Sequence, residues 1–348
     1  MKKLYFLLTA ALLIFLVPGA KAQSGFSDLI KSSPENATKL IGAYGQPLFK
    51  GFGVGMNSGW TNTAKTKKLL HFDLRITATA AFTPMADKTF DVTKIGLSSN
   101  VTPADPNQTI AQTIGGDKNT NGPTLNINSN GHTVSQFTLP SGKLPVIPSP
   151  QVQLTVGLVQ NTDVTLRLIP KISIGSAGSV SMIGFGVKHD LMQYFGPAKK
   201  VMPFDLSVLL AYSHLNLDAS LNVQPDNGTV HDPNDANKNQ DFNNQHTDGH
   251  FSSFLAEAII SKKLLFFTPF LAVGYNTAST NLAIVGNYPV TSGQNTYTVF
   301  TNPVSISETS ISGFRADIGF QLNLGIRIFA SASLAQYKSV NGGIGFGF

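Results

Sequence analysis

Ten charged side chains stand out because each falls in the polar phase of a segment that alternates apolar and polar residues. They are Asp73, Arg75, Arg167, Lys171, Lys188, Asp205, Glu257, Arg315, Asp317 and Arg327. On a face turned to hydrocarbon each would cost about 2–4 kcal/mol, so the alternation assigns them to an interior polar face. Six cations against four carboxylates could line an ion or solute path. They could equally cross-brace a narrow interior as Arg–carboxylate pairs.

Other constellations are weaker. His231, His246 and His250 share a stretch with Asp226, Asp232, Asp235, Asp241 and Asp248. His246-x-x-x-His250 has a spacing that zinc sites use on helices. Asp232-x-Asn234 opens like a calcium loop, but Asn237 stands where that loop needs glycine. No metal site is therefore expected. Gly51-Phe52-Gly53-Val54-Gly55 lacks the following helix and the Lys-Ser or Lys-Thr pair of a phosphate loop. Glycines of that kind more often admit close packing. Ser213-His214 and His250-Phe251-Ser252 bring hydroxyl and imidazole together, without a third member or an oxyanion motif. No cofactor motif is present.

The elements that position the ten charges are strands. Phe72, Leu74, Ile76, Ala78, Ala80 and Phe82 alternate with His71, Asp73, Arg75, Thr77 and Thr79. Phe314 to Leu324, Val164 to Lys171 and Ile326 to Leu334 repeat the pattern. The segments that carry these runs, 69–82, 312–324, 163–174 and 326–337, are twelve to fourteen residues long. Strands of soluble proteins average about 5–6 residues, whereas a tilted membrane strand needs about 9–11. Length therefore selects an antiparallel transmembrane β-barrel, an all-β fold. Twelve strands are expected, at 47–60, 69–82, 88–98, 151–159, 163–174, 179–190, 203–217, 250–262, 267–280, 312–324, 326–337 and 340–348. Weaker alternation at Thr133–Leu139 and Thr296–Phe300 would raise the count to fourteen. The turns between these strands fall on two sides, short ones (Pro84–Lys88 among them) facing the periplasm and long polar stretches at 99–150, 218–249 and 281–311 facing outward.

Composition and the chain ends agree with an outer-membrane destination. The 348 residues contain no cysteine and only 13% charged residues, about half the usual share of a soluble domain. Lys2-Lys3, the apolar run Leu4–Val17 and Ala20-Lys21-Ala22 read as a signal peptide over residues 1–22, cut after Ala22. Its loss removes three lysines and lowers the net charge from +6 to +3, which gives no case for nucleic-acid binding. Residues 23–46, with Ser33-Pro34-Glu35 as a helix start, form a short helical segment that is periplasmic or plugs the barrel of residues 47–348. At the other end Val340, Gly342, Ile344, Phe346 and Phe348 share one face. The final aromatic resembles the signal by which the assembly machinery of Gram-negative outer membranes reads its substrates, with Ile344, Phe346 and Phe348 carrying it.

Ala43-Tyr44-x-x-Pro47-x-x-Lys50-Gly51-Phe52-Gly53, then Asn57-x-Gly59-Trp60-x-Asn62-Thr63-Ala64 and Leu70-x-Phe72-Asp73, resembles a family of uncharacterised Gram-negative outer-membrane barrels. More distantly, the helix-bearing N-terminus ahead of a glycine-rich segment is similar in architecture to the long-chain fatty-acid outer-membrane transporters. Their hatch tripeptide Asn-Pro-Ala has no counterpart; residues 35–37 read Glu-Asn-Ala. The resemblance implies membrane lipid and the assembly machinery as partners, and a small or lipid-like solute. A channel or transporter is thus expected rather than an enzyme. A structural or surface-interaction barrel acting through its loops, and a rim enzyme, are the alternatives.

Overall fold

Alternation builds a wall turned inside out. In β1 (Phe72–Phe82) the threonines and charges are buried, while Phe72, Ala78 and Phe82 are exposed. The computed structural model describes residues 28–173, 178–200 and 202–347. Ten long antiparallel strands close into a barrel in the order β1, β18 (Ser339–Gly347), β17 (Ile326–Leu334), β16 (Val304–Leu324), β13 (Phe267–Val285), β12 (His246–Ser261), β10 (Asp205–Ser220), β9 (Gly178–Asp190), β8 (Thr162–Ser173) and β7 (Val146–Leu158). The barrel meets itself where β1 pairs with β18, Ile76 opposite Ile344.

The outward residues form an apolar belt. On β13 they are apolar from Phe267 to Tyr275 and polar at Thr277, Ser279 and Asn281. Nine residues of tilted strand match the roughly 25 Å apolar band of outer-membrane barrels. Tyr212 opposite Phe254, and Tyr275 against Phe314 with ring centroids 5.6 Å apart, mark its upper edge. Aromatic rings favour that boundary because one end is apolar and the other wet. Ile344 and Phe346 point outward within the belt. Phe348 lies outside the described residues, as does the whole signal segment with Ala20 and Ala22.

Two of the twelve expected strands are not wall. Residues 47–60 belong mostly to the helix α1 (Pro34–Asn57), and 88–98 holds only the three-residue β2 (Thr89–Asp91). The count is ten, still even. Pro84–Lys88 consequently moves from the short-turn rim to the long-loop rim, as the start of one connection spanning 83–145. That connection folds into small sheets: β2 with β4 (Ile110–Gln112), and β3 (Val101–Pro103) with β5 (Thr124–Ser129) and β6 (His132–Thr138). A third sheet joins β11 (Val230–His231), β15 (Thr296–Thr301) and β14 (Asn287–Gly293). The alternation at 133–139 and 296–300 is therefore real but builds this outer dome, not a further barrel hairpin. The other rim has only short connections, including the turns of 3-10 helix at Leu191–Lys200.

Helix α1 starts where the sequence suggests. Ser33 is the N-cap, its hydroxyl accepting from the Asn36 N–H, and Pro34 occupies the first turn, where its missing N–H costs nothing. Its outer end packs beneath the dome: Leu40, Ile41 and Tyr44 share an apolar core with Val101, Leu125, Ile127, Tyr288 and Ile306. From there the helix descends into the lumen, and residues 58–71 continue to the short-turn rim, where β1 begins.

Candidate functional site: the plugged lumen

The C-terminal half of α1 fits the bore because of its glycines. A Cβ on Gly51 would come 2.7 Å from Ile147, on Gly53 2.8 Å from the Ala278 methyl, and on Gly55 2.6 Å from Ser149 Cβ. Each glycine costs a helix about 1 kcal/mol relative to alanine; here the cost is offset by contact with the wall. Below the helix, Trp60 lies flat against Gly184 and Gly186, where added Cβ atoms would meet its ring at 3.1 and 2.9 Å.

Two arginines from different strands hold the helix end. A helix C-terminus leaves carbonyls without intrahelical partners. Arg167 of β8 donates to Met56 O at 2.7 Å and Ser58 O at 3.0 Å, with its guanidinium carbon 3.8 Å from the Trp60 ring centroid. Arg315 of β16 donates to Asn57 O at 3.0 Å. Gln151 donates to Gly55 O at 2.7 Å and Gln153 to Trp60 O at 3.2 Å. Arg167 is fully buried and faces no carboxylate; its charge rests on carbonyl dipoles and an aromatic face.

The remaining charges pair across the lumen. Arg315 binds Asp317 bidentately at 2.9 and 2.7 Å and lies 3.2 Å from Glu257. Asp73 receives Arg327 at 2.7 Å, Lys67 at 3.0 Å and Arg75 at 3.2 Å. Lys188 meets Asp163 at 3.2 Å and donates to Thr63 O and Lys65 O of the descending segment. Eight of the ten charged residues singled out in the sequence thus face the lumen in paired or capping roles. Asp205 shares the inward phase at the rim and is half-buried. Lys171 departs: a register shift between Ile169 and Ile172 gives the inward phase to Ile172 and leaves Lys171 exposed. Sequence reasoning missed Trp60, Lys67 and Asp163. Asp163 was readable, two steps before Thr165 and four before Arg167 in the same alternation; Trp60 and Lys67 lie on no regular element.

The other constellations separate. His246 and His250 sit on a strand, where four residues span about 13 Å, and among the described residues no three His, Cys, Asp or Glu side chains group as metal ligands. Ser213 points inward, whereas His214 points outward just beyond the aromatic edge, 2.9 Å from Ser252 and 3.0 Å from Asn216. The backbone around them is committed to ladders with β9, β12 and β13. Around these two pairs, among the described residues, the strand N–H groups are taken up in those ladders rather than gathered as an oxyanion hole.

A family model matches residues 1–348. The chain belongs to DUF6588, a family of unknown function. No curated protein matches this DUF6588 chain. Among solved structures it is similar to Ail, the attachment invasion locus protein of Yersinia pestis, crystallised with a heparin analogue. The identity is 9%, over 81% of this chain and 100% of that one, with a TM-score of 0.26. The outer-membrane transporter YddB of Escherichia coli is 8% identical, over 80% of this chain and 41% of its own, with a TM-score of 0.29. The monoaromatic hydrocarbon channel TodX is 9% identical, over 81% of this chain and 67% of its own, with a TM-score of 0.25. Scores this low carry no functional argument for the DUF6588 barrel; its architecture rests on its own strands.

Proposed function

We propose that this DUF6588 protein is an outer-membrane channel or transporter for small solutes, hydrophobic ones included, held closed by its own N-terminal helix. The observation that carries the reading is the nature of the seal. Eight-stranded barrels fill their interior with wall side chains; this ten-stranded one is filled by a separate segment about 10–12 Å across. Such an obstruction can leave without dismantling the wall. Leu40, Ile41, Tyr44, Phe49, Val54 and Met56 of the helix are all buried. At about 1.5–3 kcal/mol each, their exposure would cost at most roughly 9–18 kcal/mol. Spontaneous withdrawal is then rare, and opening needs a driver such as a ligand or a partner.

The test is conductance in planar bilayers. The full chain is expected to be closed with rare openings, and a variant lacking residues 28–57 to conduct steadily. Silence from the plug-deleted barrel would overturn the channel reading. A second reading would then stand, a surface-interaction barrel, supported by the folded dome, whose apolar core is shared with the outer end of α1.

A further inference from the structure

At the short-turn mouth a cavity of about 130 Å³ is lined by Lys65, Lys67, Lys263 and Arg327 together with threonine, glutamine and asparagine side chains. Every lining side chain can donate a hydrogen bond. No carboxylate lines it. Two carboxylates stand behind it: Asp73, shared among Lys67, Arg75 and Arg327, and Asp163, which pairs with Lys188 and accepts from the Lys67 backbone N–H at 2.8 Å. Lys65 and Lys263 enter none of the ion pairs found among the described residues. A concave site with such an excess of positive charge focuses its field into the cavity. The volume matches about four waters at roughly 30 Å³ each, room for a tetrahedral or planar oxyanion with part of its shell.

We infer that this mouth is a binding site for a small oxyanion, a phosphate-type or carboxylate group, gripped by Lys65, Lys67, Lys263 and Arg327. Its role as a filter that favours anionic solutes rests on the transport reading; the binding itself does not, because the cavity is open to the rim while the plug is seated. A free oxyanion and one carried on a lipid headgroup present the same chemistry to these donors.

The experiment titrates the full-length mature protein, refolded in micelles of an uncharged detergent, with inorganic phosphate and separately with a short-chain phosphatidic acid. Calorimetry and phosphorus NMR read the binding. Saturable binding is expected, weakening steeply with added chloride. K65Q/K263Q should weaken it about tenfold, as loss of two charges facing one anion implies, with heat-modifiable mobility unchanged. Saturation by phosphate assigns the site to free anions, and saturation by the lipid alone assigns it to a headgroup. Absence of saturable binding of either, or equal affinity in K65Q/K263Q, overturns the inference. Binding without conductance would remove the transport reading and keep the site; conductance without binding would do the reverse.

Discussion

Arg167 and Arg315 do different work although both reach the same helix end. Arg167 has only neutral partners, so Arg167→Met removes a buried charge and leaves Ser58 O without this donor, while Met56 O keeps the Trp60 indole N–H at 3.1 Å. The expected loss is about 1–3 kcal/mol for the orphaned carbonyl, read as a shift in the urea midpoint of the refolded barrel. The emission of Trp60, the single tryptophan, should report the same transition locally. Arg315→Gln strands Glu257 and Asp317 together, and breaking such a pair costs about 3–5 kcal/mol. R315Q/E257Q should recover part of that loss; if it is no more stable than R315Q, the 3.2 Å contact with Glu257 is not an ion pair of consequence. In the dome, Asp235 would be raised by burial, but the N–H groups of Val299 and Asn237 and the His231 ring hold its carboxyl below the usual aspartate range. A depressed value means stability that is present above the unfolded value and lost as pH falls through the folded one. Protection of the Val299 amide should therefore fall below about pH 4, and D235N should flatten that dependence; a wild-type profile identical to that of D235N would refute it.

Among the elements, the strands and the start of the plug helix were legible, and its glycine-rich C-terminal half was not. Period-two alternation placed nearly every wall segment and its inward charges, because one face must meet hydrocarbon and the other the lumen. Gly51 to Met56 misled for a physical reason. Alternating glycine with Phe52, Val54 and Met56 imitates a strand, and three glycines lower helix propensity. Only the wall, which needs those glycines for its close approach, makes the segment helical. Lys171 misled because a bulge, invisible to periodicity, changes phase. The three outer sheets were half legible: their alternation was visible, but nothing in it distinguishes a dome strand from a wall strand. Two substitutions test the element assignments. Gly186→Val, crowding Trp60, should cost about 1–3 kcal/mol. Phe320→Arg on the lipid side of β16 should cost about 2–4 kcal/mol on refolding into bilayers. A neutral Phe320→Arg would mean that this side of β16 does not meet lipid.

For the whole molecule, the connectivity fixes which side the N-terminal end occupies. Lys31 pairs with Asp226 at 2.6 Å and its carbonyl accepts from Thr291, both in long outer connections. The start of the helix therefore sits on the long-loop side of the barrel. Cysteine-free chemistry makes this measurable. Glu35, whose side chain is 68% exposed, replaced as E35C should react with a membrane-impermeant maleimide on intact cells. Leu265, 88% exposed in a short turn, replaced as L265C should react only after the outer membrane is breached. The opposite labelling pattern would invert the barrel.

The fourteen residues between α1 and β1 also set a travel limit. Fully extended, they reach about 50 Å, twice the roughly 25 Å height of the apolar band. The segment is thus a leash long enough for the helix to be drawn clear of the bore on the outer side while still tied to the opposite rim. What would remain in the passage is one extended thread. Such a plug need never dissolve or be cut to open the barrel, and it is always within reach of its seat. Pulled outward from residue 28 by an optical tweezer, the molecule should lengthen first by release of this tether, at forces that leave the wall intact.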